Sequence, residues 1–234
     1  MNYLKNTLRT LVILLVFNLP GASFAQLCDT FFPMREGVRM EYTLHNQKGK
    51  VEGSQWQEFR NVQKTANGAE AEVHMGFIDE KGKNPYEMSY NIICDGDVIR
   101  IDFKSLLSTQ MMEQYGEMEA EITGTDIEWP TQLKPDMELP DASVTMKISM
   151  GAMNMKTEVE MTNRKVEKKE TITVPAGTFD CYVIYSDNRT KMMMVDKNYP
   201  NRSWISEGVG TVKTESYNEN GKLLNSMVLS AITE

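Results

Sequence analysis

The stretch Val144–Met161 constrains this chain more than any other. Val144, Met146, Ile148 and Met150 alternate with Thr145, Lys147 and Ser149. That is the period of two that sends successive side chains to opposite faces of a strand. Gly151-Ala152 follows, a two-residue link with glycine first, which suits a type II′ hairpin turn. Met153, Met155, Thr157, Val159 and Met161 continue the apolar face on the return, opposite Asn154, Lys156, Glu158 and Glu160. A pair with one dry and one wet face needs a larger antiparallel sheet to cover its dry side.

The rest of the chain repeats this grammar. Val38–Leu44, Val51–Val62, Ala71–Ile78, Tyr86–Cys94 and Val98–Asp102 read as strands, separated by turns at Asn46–Lys50, Ala66-Asn67-Gly68, Glu80–Lys83 and Asp95-Gly96-Asp97. Val174-Pro175-Ala176-Gly177 places Pro and Gly as a type I turn wants them. Thr178–Tyr185 is apolar on both faces, as for an interior strand. Arg189–Val195, Ser203–Ser206, Val209–Tyr217 and Lys222–Ile232 complete the set. The fold class is therefore mainly β and antiparallel.

Two segments depart from the pattern. Phe103–Tyr115 has no Gly or Pro and spaces Phe103, Leu106, Leu107, Met111 and Met112 largely as a helix does, with Asp102 as N-cap and Gly116 as stop. It predicts one short helix covering the sheet. Residues 125–142 hold Pro130, Pro135 and Pro140 and read as an extended connector within a single β-rich domain, 26–234.

Residues 1–25 read as a secretory signal peptide. Lys5 and Arg9 precede the short apolar run Leu11–Phe17, and Ser23-Phe24-Ala25 ends it with small residues. The run is too short to span a bilayer, which takes about 20 residues. Cleavage after Ala25 is preferred over a lipoprotein site at Cys28, because Gln26 and Leu27 are a poor lipobox. The mature chain then has no transmembrane segment, and its formal charge moves from −8 to −10 with the loss of Lys5 and Arg9. An exported protein in the periplasm or on the outer membrane or cell surface is expected. Export permits a disulfide. Cys28 and Cys94 lie at element ends and are the favoured pair, against three reduced cysteines, while Cys181 sits inside an apolar strand.

An acidic chain of pI about 5.0 lacks the basic face that nucleic acid requires. His45 and His74 are the only histidines, and neither stands in a motif. No G-x-S-x-G, H-E-x-x-H, C-x-x-C, P-loop or dinucleotide fingerprint occurs. No enzyme, no cofactor and no metal site are expected. The unusual constellation is 18 methionines. Thioethers on flexible stems can repack around apolar ligands of different shape. Met146, Ile148, Met150, Met153 and Met155, with Met111 of the helix, are the candidate ligand-binding residues. They would take a lipid, acyl chain or peptide, or an envelope protein. The alternatives are a filled Met-rich core with no ligand, an enzyme built on unrecognised carboxylates, and Cu(I) held by thioethers. Met192-Met193-Met194 is the local cluster that raises copper, though neighbours along a strand point to opposite faces.

One ordered series of residues has a wider resemblance: Cys28 with Phe32-Pro33 and Gly37; Cys94-Asp95-Gly96-Asp97; Thr173–Cys181; and Trp204–Gly210. It resembles the TapB-like exported proteins of Gram-negative bacteria over nearly the whole mature chain. The resemblance implies a curved antiparallel sheet, a half-barrel or open barrel with a helix near its open side. It implies no activity.

Overall fold

The computed structural model describes residues 31–83, 85–102, 105, 119–150 and 153–234. The strands are β1 (Arg39–Asn46), β2 (Val51–Lys64), β3 (Gly68–Asp79), β4 (Tyr86–Asp95), β5 (Val98–Ile101), β6 (Glu119–Gly124), β7 (Ile127–Pro130), β8 (Ala142–Met150), β9 (Met153–Val174), β10 (Gly177–Met192), β11 (Val195–Ser206), β12 (Gly210–Tyr217) and β13 (Leu223–Thr233). They form one 13-stranded sheet in the order β6-β8-β9-β10-β11-β12-β13-β1-β2-β3-β4-β5-β7. Every pairing is antiparallel.

The order forces curvature. β6 and β7 are the two outermost strands, yet only Thr125 and Asp126 separate them in sequence. The three steps from Gly124 to Ile127 reach roughly 11 Å at most, so the sheet rolls until its edges meet at that point. Thr125 N–H donates to the Ser143 carbonyl at 2.8 Å, and Ser143 N–H donates back to Thr125 Oγ1 at 3.0 Å. Gly124 passes so close that a Cβ there would stand 2.1 Å from the Ser143 oxygen. Ile127, Ala142 and Val144 are buried across the seam against Ile101 and Ile122. No ladder joins β6 to β7, so the roll stays open.

The interior of the roll is filled. Met40, Tyr42, Phe59, Val73, Ile92, Ile99, Val166, Val183, Val212 and Leu229 are at most 1% exposed. The Tyr42 hydroxyl donates to the Thr211 carbonyl at 3.0 Å, which satisfies the one polar atom its ring carries inside. Phe31 packs edge-on to Tyr182 with ring centroids 6.0 Å apart. Leu133 and Leu139 are buried in the same core.

Two expectations change, and a third falls largely outside the described residues. Of the helix expected over Phe103–Tyr115 only Ser105 is described, and it is helical; the described elements are otherwise strands. Asp102 does accept the Ser105 N–H through its side chain at 3.2 Å. The connector 125–142 is less irregular than its prolines suggest. Ile127–Pro130 is the edge strand β7, and Asp136–Leu139 bonds to β9 at Arg164 and Val166. Arg189–Val195 is not one strand: the chain reverses at Met193-Met194 between β10 and β11. No Gly, Pro, Asn or Asp marks that reversal, and Met193 takes a left-handed φ of 49°, so its signal in sequence is nil.

Candidate functional site

The expected hairpin register holds. Met146 pairs with Thr157, Ile148 with Met155 and Met150 with Met153. Directly opposed residues share a face, so Val144, Met146, Ile148 and Met150 line up with Met153, Met155, Val159 and Met161. Ile122 joins this face by pairing with Met146, and Met192 by pairing with Thr157. Ile148 is buried, and Met146, Met155, Val159 and Met161 are half-buried. Met150 and Met153 are placed by their backbone alone, and Met111 lies outside the described residues. Cys94 is fully buried and is not a free thiol. Cys28 lies outside the described residues. Cys181 is free and buried. Burial first, then Asp180 and Glu170, push its thiol up to about 11, which keeps it protonated and unreactive.

This part of the sheet is a wing that projects from the roll. β11 pairs with β12 only from Asn201 onward, so Val195–Pro200 extends past its neighbour. Pro200 stands where a further strand would need its N–H. Met192 opposes Thr157, and β9 continues to Met153, which places the β8–β9 and β10–β11 reversals at the same end of the sheet. The tip of the β10–β11 hairpin is apolar and open. Met192 is 44% exposed, Met193 76%, Met194 98% and Val195 47%. Beneath it Arg189 grips Asp196 with two hydrogen bonds of 2.7 Å.

At the base of the wing stands a residue that sequence patterning did not single out. Arg164 is 2% exposed. Its guanidinium lies 4.9 Å from the Trp129 ring centroid and donates to the Pro140 carbonyl. Burial pulls its pKa down to about 10, against the pull of Asp141 and Glu128. The only advance signal was the surroundings: an arginine within a strand, after Met161 on the dry face.

The outer face of β2–β4 carries a contact chain that resembles catalytic machinery. His74 Nδ1 is 3.1 Å from Ser89 Oγ, and its Nε2 is 3.3 Å from Glu87 Oε2. The Ser89 hydroxyl, however, donates to Glu72, which with the 2.8 Å bond from Asn61 holds that carboxyl below its usual range. A serine whose proton already goes to a carboxylate is not the partner of a histidine base. Trp56 packs against the His74 ring at 5.1 Å, and Arg39 stacks on Trp56 at 4.2 Å. Among the described residues, no group of three or more His, Cys, Asp or Glu side chains comes together to hold a metal ion, and no helix is long and apolar enough to cross a membrane.

Two crystal structures share this architecture. One is a candidate exported protein with a YmcC-like fold from Bacteroides fragilis, 18% identical, with a TM-score of 0.68 over 88% of this chain and 100% of that one. The other is a candidate lipoprotein from Parabacteroides distasonis, 25% identical, with a TM-score of 0.68 over 87% of this chain and 99% of that one. The likeness is one of fold. No curated protein matches the chain. Residues 35–229, from just before β1 into β13, match the DUF3108-like family, and the protein belongs to that family.

Proposed function

We propose that the protein is a non-catalytic exported protein of the bacterial envelope that holds an apolar ligand, or an apolar segment of an envelope partner, on the inner face of the wing. The observation that carries this is the contrast in exposure. The roll is packed with side chains, whereas the wing presents half-buried Met146, Met155, Val159 and Met161 and ends in the open apolar tip Met192–Val195. Methionine-rich surfaces adapt to varied apolar shapes, and exposed contiguous apolar side chains mark contact sites.

The names of the two structural neighbours, one exported and one a lipoprotein, support an envelope address. So does the TapB-like resemblance, which as a grouping narrower than the family stays within this proposal. Residues 1–25 as a signal peptide, 26–234 as one β-rich domain and a Cys28–Cys94 bridge belong to the same reading. N-terminal sequencing of exported protein should begin at Gln26. A non-reduced peptide map should contain Cys28 linked to Cys94, and its absence refutes the bridge.

A second reading, a filled interaction module without a small ligand, is favoured by Val144 at 1% and Ile148 at 2% exposure on the same face. Mass spectrometry of the organic extract of protein purified from its native envelope separates the two. A stoichiometric apolar molecule is expected. An extract free of any apolar species leaves the filled module standing.

A further inference from the structure

Strand β9 carries two irregularities against β10, one at Glu167 and one at Asn163-Arg164, and at the second the sense of its faces changes on entry to the roll. Met161 points to the dry side with Ala142, its partner on β8. Strict alternation would then turn Asn163 and Lys165 inward and Arg164 out to solvent. A bulge prevents this. Asp187 pairs with Thr162 and Tyr185 with Lys165, so Asn163 and Arg164 together oppose Ser186. Asn163 adopts a φ of 52° and is held by a 2.8 Å bond from its Nδ2 to Asp187 Oδ2. The bulge re-aims Arg164 and Val166 into the interior, at 2% and 0% exposure.

The arginine so delivered lacks a counter-charge at contact distance. One nitrogen serves the Pro140 carbonyl, while Nη2 has no hydrogen-bond partner. The indole Nε1 of Trp129, on which the guanidinium stacks, is likewise buried and without a partner. Glu128 is engaged by Arg100 at 3.1 Å. Among the described residues, no carboxylate forms an ion pair with Arg164. Asp141 and Glu128 act on it only from beyond ion-pair distance; a buried cation with no anion in contact is costly, and a bulge that turns it inward is a feature that positions a side chain rather than an accident of packing.

We propose that Arg164 and Trp129 form the head-group site for a single-chain carboxylate, a fatty-acid anion whose tail lies along Val159, Met155 and Met146. Both groups are donors only, so the ligand atom they meet is an acceptor, and the positive charge selects an anionic one. Trp129, Val159 and Met161 all pack against the buried cluster of Ile127, Ala142 and Val144, so head site and apolar face adjoin through it. The assignment rests on the apolar-ligand reading above and narrows it to one chemical class.

Titration calorimetry with dodecanoate and with methyl dodecanoate, on the mature protein, tests it. The wild type should bind the acid at least about tenfold tighter than the ester, in line with a charge-assisted hydrogen bond. Arg164→Met, which keeps the length of the side chain, should erase that preference while leaving ester binding unchanged. Trp129→Phe, which keeps the ring under the guanidinium, should reduce it several-fold and stands in if the first variant fails to fold. Equal binding of acid and ester, or a preference that survives both substitutions, overturns the head-group site and leaves the apolar face intact. Failure of both probes to bind wild type overturns the apolar-ligand reading and the head site with it.

Discussion

Strand β9 belongs to two environments, and the difference between them explains how the molecule is built. Beyond the Asn163 bulge, Val166 sits at 0% exposure among Phe59, Leu139 and Val183, inside a roll whose strands curve around it. Before the bulge, Met155, Val159 and Met161 lie on a projecting sheet and are only half-buried. Both sides carry apolar residues on the inward face, Met155, Val159 and Met161 before the bulge and Val166, Ile172 and Val174 beyond it. Position in the sheet separates them: Val166 is enclosed by the strands of the roll, whereas Val159 and Met161 meet only the small seam cluster around Ile127, Ala142 and Val144. The roll holds most of the fully buried core, and the wing holds the more exposed apolar side chains.

The largest expected effect that would break this division is in the roll. Phe59→Ala should cost about 3–5 kcal/mol, as deletion of a fully buried ring does, read from the urea midpoint at constant slope. Met155→Ala on the wing should cost about 1 kcal/mol, because much of its apolar surface is already wet. Similar losses at both positions would mean that the wing is as tightly packed as the roll. Gly76→Ala is expected in between, at about 1–3 kcal/mol of overpacking. Its Cβ would fall 2.5 Å from the Trp56 indole, which must shift out of contact with His74 and Arg39. A red-shifted tryptophan emission would report that displacement.

At the wing tip the sign should reverse. Met193→Gly removes a left-handed strain of about 1 kcal/mol and should raise stability by part of that, whereas Met194→Ser should leave it within about 0.5 kcal/mol. If both tip substitutions abolish capture of an apolar ligand or partner without loss of stability, the strained apolar turn is retained for binding. The smallest effect is electrostatic. Hydrogen bonds from Ser89 and Asn61 lower the pKa of Glu72, and those from Lys168 and Trp204 lower that of Glu170, both from an ordinary 4.5. A carboxyl with a depressed folded-state value contributes stability that is fully present above 4.5 and fades as pH falls through the lower, folded value. Thermal midpoints should therefore be flat from pH 7 to about 5 and decline below 4.5. The decline should be shallower in Glu72→Gln.

Much of the sheet could be read residue by residue. The Met150–Met153 register follows from Gly151-Ala152, and the Val174–Gly177 turn from its proline and glycine. These are local facts, set by backbone geometry within a few positions. The reversal at Met193-Met194 was illegible because its left-handed residue is not one that favours such a φ. Arg164 was illegible for a different reason. Its inward aim depends on a bulge, and the bulge matters only because Ser186 of the next strand stands opposite two residues instead of one. Of the six expected ligand residues, Met146, Ile148 and Met155 share one face, but alternation could not say how deeply each is buried.

Period, turn chemistry and charge sufficed to establish an antiparallel, acidic, β-rich chain with a Met-bearing hairpin. Those properties are written in neighbouring residues and need no partner to be expressed. The roll, its seam and the wing were decided by long-range geometry: two residues between the outermost strands, β13 laid beside β1, and the two extra residues in β9. Whether an apolar side chain becomes core or contact surface depends on what the sheet brings opposite it, and strand alternation carries no information about that distance.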